Sequence, residues 1–365
     1  MDWNRRLDEI VAGSRMTDDE FLSAYHEAEL LALGKAAAAV RDRRFPEPYI
    51  TFVIDRNINY TNICTCRCKF CAFYRDQDSP EAYLLSWSEI RDKIDEAVAL
   101  GATQLMLQGG LNPALGIEYY EDLFGKIRAG YPAIALHSLS APEICHIAEV
   151  SSLSVEETLR RLMAAGLSSL PGGGAEILDD GVRQTVSPKK IKTDMWLSVM
   201  ETAHRLGMKT TATMMMGSVD RVEQRLAHLS RIRAMQDKTG GYRAFIAWTY
   251  QPGNNELMGE KLSAPEYLRM LAISRLYLDN VDHIQGSWVT MGPEIGQLSI
   301  LFGADDLGST MIEENVVRAA GLHHRMSVDK VNAIIAGTGR KPAQRDTTYR
   351  ILKTDFSSGI VENPD

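Results

Sequence analysis

The run CTCRCKFCAFYR, residues 64–75, holds four of the five cysteines of this chain. Cys64, Cys68 and Cys71 fit CxxxCxxC, a spacing that lets one short loop set three thiolates on one face of a metal centre, with Cys66 left over. Directly before it stands YITFVIDRN (residues 49–57), whose β-branched and aromatic content reads as a strand. The loop therefore sits at the end of a first strand.

Outward from that point the pattern repeats. Ser86 and Glu89 form a capping-box pair ahead of Ile90, Ile94 and Val98, and Gly101 closes the helix. Further strands are expected at 104–108, 133–139, 168–170, 209–215, 244–248, 282–287 and 298–302. Helices are expected at 119–129, 155–165 (Ser154 and Glu157 forming a capping box), 194–206, 222–236 and 264–280 (capped by Ser263 and Glu266). Eight strands, most followed by a helix, are the signature of an α/β protein with a (β/α)8 TIM-type barrel. The gap between the last two strands holds no clear helix. No Pro-, Gly- or Ser-rich linker splits the chain, so the expected organisation is an N-terminal helical cap (1–48), the barrel (49–310) and a C-terminal helical extension (311–365).

With 365 residues, 45% of them hydrophobic, the chain can bury a large core. Its net charge of -8 argues against the basic footprint that nucleic acid requires. The N-terminus has no apolar signal core, and no run approaches the roughly 18 apolar residues of a membrane span. A soluble cytoplasmic protein with a small-molecule partner is expected.

Two readings compete at the cysteine loop, since thiolates suit both zinc and iron. Structural zinc usually wants four protein ligands, and no second CxxC follows; a zinc-stabilised barrel without redox chemistry is the rival. Three cysteines on a [4Fe-4S] cluster leave one iron open to a substrate or cofactor. Cys66 is expected to be unligated, and Cys145 a small core residue.

CxxxCxFC after a first barrel strand resembles the radical S-adenosylmethionine (SAM) family. The resemblance extends over about residues 48–350. Through DRNINYTNIC, LHSLSAPEI, SLPGGGAEIL, TTATMMMG, SWVTMGP, LGSTMIEENVV and PAQRDTTYR it is similar to the futalosine-pathway cyclases of menaquinone biosynthesis. Aminofutalosine synthase and the FO synthase subunits are related members. The resemblance implies a [4Fe-4S] cluster on Cys64, Cys68 and Cys71, SAM as cofactor, an electron donor such as flavodoxin or ferredoxin, and dehypoxanthine futalosine as substrate. The implied oxidoreductase chemistry is hydrogen abstraction at ribose C4′ by a 5′-deoxyadenosyl radical, followed by addition to the benzoate ring.

It also implies residue roles. Gln108, Gly109 and Gly110 would form the glycine-rich turn at the SAM amino group, and Phe70 with Phe73 or Tyr74 would contact the adenine. Glu176 would accept the ribose hydroxyls, with Arg183 toward the SAM carboxylate. Substrate contacts would come from His137, Trp248, Gln251, Trp288, Ser309 and Thr310. Asp306 and Glu314 are the expected acceptors of the ring proton. The chain departs from the family at Asp305 and Leu307, where members carry Asn and Phe.

Overall fold

The first strand is broken at Ile54. In the computed structural model, which describes residues 1–356 apart from Met258 and His323, residues 49–57 form two strands: β1 (Tyr49–Val53) and β2 (Asp55–Ile58). Each half belongs to a different sheet. The others are β3 (Gln104–Leu107), β4 (Ala135–His137), β5 (Leu167–Ser169), β6 (Thr210–Met216), β7 (Tyr242–Thr249), β8 (His283–Gln285), β9 (Asp306–Ser309), β10 (Lys341–Arg345) and β11 (Ile351–Lys353).

One sheet runs β2-β3-β4-β5 and the other β11-β10-β1-β9-β8-β7-β6, all parallel except β11. Two seams join them. At the first, β1 leads into β2 through Ile54, whose carbonyl accepts the Thr103 N–H at 3.1 Å. At the second, the Thr211 N–H reaches the Leu170 carbonyl at 3.1 Å and Thr213 Oγ1 donates to the Gly172 carbonyl at 2.6 Å. A Cβ on Gly172 would stand 2.5 Å from the Thr213 nitrogen, so only glycine lets this seam close. Eight parallel strand positions surround one interior, as expected.

Helices Trp87–Ala99, Ile117–Gly130, Val155–Ala165, Thr193–Arg205, Val222–Thr239 and Ala264–Tyr277 lie where their periodicity and caps place them. Ser86 and Ser263 complete their capping boxes, whereas Ser154 makes only its own half, to the Glu157 N–H. Ala141–Val150, which carries Cys145, and Asp180–Val186 are further helices. The N-terminal helices Trp3–Ala12, Asp18–Glu27 and Leu30–Arg44 lie on the outer wall: Phe21 meets Tyr277 edge-on at 5.3 Å, and Gly34 sits against the Phe302 ring.

Two expectations need correction. Residues 298–302 are not the eighth strand; they fall at the end of helix Pro293–Leu301, which Pro293 opens. Burial there follows no two-residue alternation, because Ser299 and Ile300 are both buried while Leu298 and Leu301 are exposed. The eighth strand is β9, Asp-Leu-Gly-Ser, a sequence of poor β-propensity that tertiary contacts hold in place. Nor is the segment after residue 310 only helical. It contains helices Val316–Ala319 and Val328–Ala336, but then β10 pairs in parallel with β1 and β11 turns back on β10. Residues 357–365 of the expected extension lie outside the described residues.

Candidate active site

The cysteine loop leaves the C-terminal end of β2 and is tied down by the asparagines of NINYTNIC. Asn62 donates to the Glu81 carbonyl at 2.9 Å and accepts the Tyr83 N–H at 2.8 Å, while Asn59 holds the Gln108 carbonyl at 2.9 Å. Backbone bonds Cys64 N–H to Arg75 O (3.1 Å) and Cys71 N–H to Cys68 O (3.0 Å) fold the loop back on itself. Arg75 donates to the carbonyls of Ala72 and Tyr74 at 3.1 and 2.9 Å, which fixes the return.

All five cysteines are free thiols. Cys66 and Cys68 are buried with their sulfurs 3.4 Å apart. The hydrogen bond from Cys66 pulls the Cys68 thiol down to about 7 against the effect of burial, and Lys190 adds to the pull. Donating that proton raises Cys66. Burial pushes Cys71 up to about 11, and the charges of Cys68 and Cys64 add to it, so the three expected ligands feel one another. Among the described residues no three His, Cys, Asp or Glu side chains gather tightly enough to hold a single ion.

Lys190 was not singled out from the sequence, and only the fold reveals it. Its ammonium is 10% exposed, forms an ion pair with Glu176 and lies 5.1 Å above the Phe70 ring, beside Cys68. A cation so placed favours negative charge on the loop sulfurs. Glu176 takes φ +45°, the left-handed region uncommon for a residue with a side chain, and is buried. Arg183 does something other than expected: its guanidinium donates to the carbonyls of Gly174, Ala175 and Ile191. It holds the glycine-rich loop in shape and has its donors committed there.

The turn Gln108-Gly109-Gly110 ends β3 against the cysteine loop. A Cβ on Gly110 would meet the Ile63 carbonyl oxygen at 2.1 Å and the Cys64 Cβ at 2.7 Å, so glycine is what lets the two loops touch. The Gly109 N–H is held by Glu143 at 3.0 Å; Glu143 also accepts from Tyr60 (2.9 Å) and Ser140 (2.6 Å), and burial pushes it up to about 7.

Below these loops the barrel encloses a cavity of ≈ 300 Å³. Phe70, Gln108 and Gly173 line it nearest the cysteines, Trp248, Gln251, Ser309 and Glu314 its walls, and Gln104, His137, Arg243, Arg345, Thr347 and Tyr349 its floor. The floor is the PAQRDTTYR run, whose Tyr349 stacks on His283 at 3.6 Å beneath Arg345.

Of the expected site residues, Phe70, Gln108, His137, Trp248, Gln251, Ser309 and Glu314 face this cavity. Phe73 instead packs edge-on against Tyr83 at 6.4 Å, and Tyr74 reaches Glu256 on the surface at 3.2 Å. Trp288 and Thr310 are buried outside the lining; the Trp288 indole donates to the Ser309 carbonyl at 3.0 Å. Asp306 does not reach the cavity either. It is fully buried in a bidentate pair with Arg345 (2.6 and 2.9 Å) and accepts from Thr51 at 2.6 Å. Asp305 is likewise structural, paired with Arg275 and with His283 at 2.6 Å, which accounts for that departure without any ligand. His137 bonds Ser169 at 2.8 Å, and burial with Arg243 and Arg345 nearby holds it well below the usual imidazole range.

Residues 58–232 match the model of the radical SAM superfamily, and residues 239–357 match the CofH/MqnC C-terminal region. The chain is 50% identical over 350 residues to a cyclic dehypoxanthine futalosine synthase of Streptomyces coelicolor, covering 95% of this chain and 88% of that one. The chain belongs to the radical SAM superfamily. A second cyclic dehypoxanthine futalosine synthase, from Halalkalibacterium halodurans, is 47% identical over 95% of this chain and 94% of its own. The superfamily is not uniform in what it makes: a 5-amino-6-(D-ribitylamino)uracil--L-tyrosine 4-hydroxyphenyl transferase of Methanothermobacter thermautotrophicus is 41% identical over 89% of this chain and 90% of its own. Among solved structures, methylornithine synthase superimposes with a TM-score of 0.72 at 18% identity, over 92% of this chain and 97% of that one, which speaks for the fold.

A radical SAM site asks for three thiolates spread over a cluster rather than focused on one ion, with space beside them for SAM. The observed loop agrees with this: three free thiols stand in one short loop, and Phe70 and Gln108, the first residue of the glycine turn, line the cavity beside it. Lys190 and Arg243 carried no signal in the sequence, because their importance lies in what the fold brings beside them.

Proposed function

We propose that the protein cyclises dehypoxanthine futalosine to cyclic dehypoxanthine futalosine, as the names of its relatives state for those enzymes, and so serves menaquinone biosynthesis. The observation that carries this reading is the similarity at 47–50% identity over 95% of the chain. The cavity that opens beside the cysteine loop agrees with it. Cys64, Cys68 and Cys71 would hold a [4Fe-4S] cluster, which together with SAM would supply a 5′-deoxyadenosyl radical on reduction by a donor such as flavodoxin or ferredoxin.

The protein's own work is to bind, orient and exclude water. Gln108, Gly109, Gly110 and Phe70 border the SAM position, Glu176 accepts from its ribose, and Lys190 takes the cationic role expected of Arg183, whose donors are committed elsewhere. Trp248, Met215 and Ile246 give the cavity an apolar wall with few loose hydrogen donors, so a sugar radical at C4′ meets the benzoate ring before it meets a quencher.

Cyclisation leaves a ring radical that must lose one electron and one proton; the oxidised cluster would be the electron's acceptor, and the proton needs a base on this chain. Asp306 is sealed behind Arg345, and the Glu314 oxygens accept the N–H groups of Val316 (3.1 Å), Val317 (2.7 Å) and Arg318 (3.1 Å). Asp55 faces the cavity, and among the described residues its carboxylate accepts from the Ser309 hydroxyl and the Gln104 amide (2.7 Å). Burial raises its carboxyl above the ordinary aspartate range despite those bonds, which makes it a stronger base once ionised. Asp55 is the proton acceptor in this reading.

The test is anaerobic turnover of the reconstituted enzyme with dehypoxanthine futalosine, SAM and a reductant, read by mass spectrometry. The expected product is the spirocycle. In parallel incubations, an adenosylated product from an enolpyruvyl benzoate would instead mark an aminofutalosine synthase, and a deazaflavin precursor formed from added tyrosine would mark an FO synthase subunit. Asp55→Asn should still cleave SAM but form the spirocycle about 10²-fold more slowly, the usual scale for loss of a general base. Unchanged spirocycle formation would remove Asp55 from the mechanism.

A further inference from the structure

Arg243 is a cation without an anion. It begins β7 at the floor of the cavity, where its Nη2 donates to Ser169 Oγ and to the Lys209 carbonyl at 3.0 Å. Among the described residues no carboxylate pairs with it, and no protein acceptor faces its Nε or Nη1. The other floor arginine is different: Arg345 is neutralised by Asp306. The charges that Arg243 feels are Tyr349, Arg345 and Asp346, and Asp346 is taken up by Thr348 and Arg350. Burial brings Arg243 down to about 10, so it remains charged at neutral pH.

A charge partly withdrawn from water is ordinarily paired, since removing an ion from water costs several kcal/mol. A half-buried guanidinium that lines the cavity with no carboxylate on it therefore marks where an anionic ligand sits. Both two-pronged faces of the guanidinium include Nη2, which Ser169 and the Lys209 carbonyl occupy, so a carboxylate is met by the charge and by one hydrogen bond from Nη1 or Nε. Around it, Ser169 and His137 are already bonded to each other, and His137 is neutral, so neither competes for the anion.

We propose that Arg243 is the carboxylate anchor of the cavity, its charge and a single N–H from Nη1 or Nε taking one oxygen of the benzoate carboxylate of the substrate. The assignment rests on the cyclase reading above and adds an orientation to it. The aromatic end goes down to the floor and the ribose stays up, beside the cysteine loop where hydrogen abstraction occurs. It also gives the enzyme a way to reject acyl-benzene compounds that lack the acid group, because the guanidinium would be left half-buried and unpaired.

Two measurements test it, one without turnover. By calorimetry on the oxidised holoenzyme, 3-acetylbenzoate should bind and 3-acetylbenzamide should bind at least about 10-fold more weakly, the low end for hydrogen bonds to a charged group. Arg243→Gln should bring the two ligands level, and Arg243→Lys, which keeps the charge, should keep the preference for the acid. In turnover, Arg243→Gln should raise KM for dehypoxanthine futalosine by about 10- to 100-fold, with cluster content as in the wild type. Wild-type protein that binds acid and amide equally, or Arg243→Gln that still prefers the acid by the wild-type ratio, overturns the anchor. Should Arg243→Gln fail to fold, the wild-type acid-to-amide ratio decides alone. Wild-type protein that discriminates between the two ligands but forms no spirocycle retains the anchor and fails the cyclase reading.

Discussion

Cys68→Ala is expected to abolish the cluster and with it all SAM cleavage, and Cys64→Ala and Cys71→Ala are expected to do the same. Each removes one of three thiolates from a loop with a single thiol to spare. Cys66→Ala should keep iron, sulfide and turnover near wild-type levels. The structure makes this a sharper comparison than spacing alone, because Cys66 is no distant spectator: its sulfur lies 3.4 Å from that of Cys68 and is equally buried. What separates the two is spacing and charge. Cys68 completes CxxxCxxC with Cys64 and Cys71, and the Lys190 ammonium beside it favours its thiolate. Thiolates bind metal, so Cys68 is the expected ligand. Iron and sulfide analysis with electron paramagnetic resonance of the reduced proteins would show it. Loss of the cluster in Cys66→Ala, with Cys68→Ala retaining it, would reverse the assignment, and a colourless zinc-loaded wild type after anaerobic reconstitution would end the radical reading.

Asp306→Asn carries the second large effect, on stability. Removing one partner of a buried ion pair costs about 3–5 kcal/mol, because the other charge stays behind in low dielectric. Arg345 would be that stranded charge, buried over the Tyr349 ring and losing the carboxylate charge and at least one of its two bonds. Against the roughly 5–15 kcal/mol that holds a typical protein together, such a loss is a large share. The chemical-unfolding midpoint should drop accordingly, and the double variant with Arg345→Met should recover part of the loss, a coupling that a double-mutant cycle measures. A variant that unfolds like the wild type yet fails to form product would instead return Asp306 to the chemistry.

How Asp306 was misread shows where sequence legibility ends. An acid after the expected last strand has the look of a catalytic group, and nothing local reveals that Arg345, far along the chain, occupies it. The same limit hid β9, whose Asp-Leu-Gly-Ser becomes a strand only by pairing with β1 and β8. By contrast, the helices with serine caps and the strands rich in β-branched residues were readable, because periodicity and capping are local. The cysteine loop was readable for a related reason: its three expected ligands lie within eight residues. Arg243, Asp55 and Lys190 are ordinary charged residues in sequence. Their chemistry comes from burial and from what each lacks or gains as neighbour, quantities that exist only after folding.

The strand β10 gives the molecule a direction in time. Tyr49 pairs with Lys341, so the barrel's opening strand waits for almost the last one to emerge before its lower half has a partner on that side. Until then the cavity floor is incomplete, because Arg345, Thr347 and Tyr349 are missing from it. Contacts this distant in sequence form late and slowly. A nascent chain can thus shape its cysteine loop well before its cavity closes, so the reactive end of the site is built first and the floor is completed last.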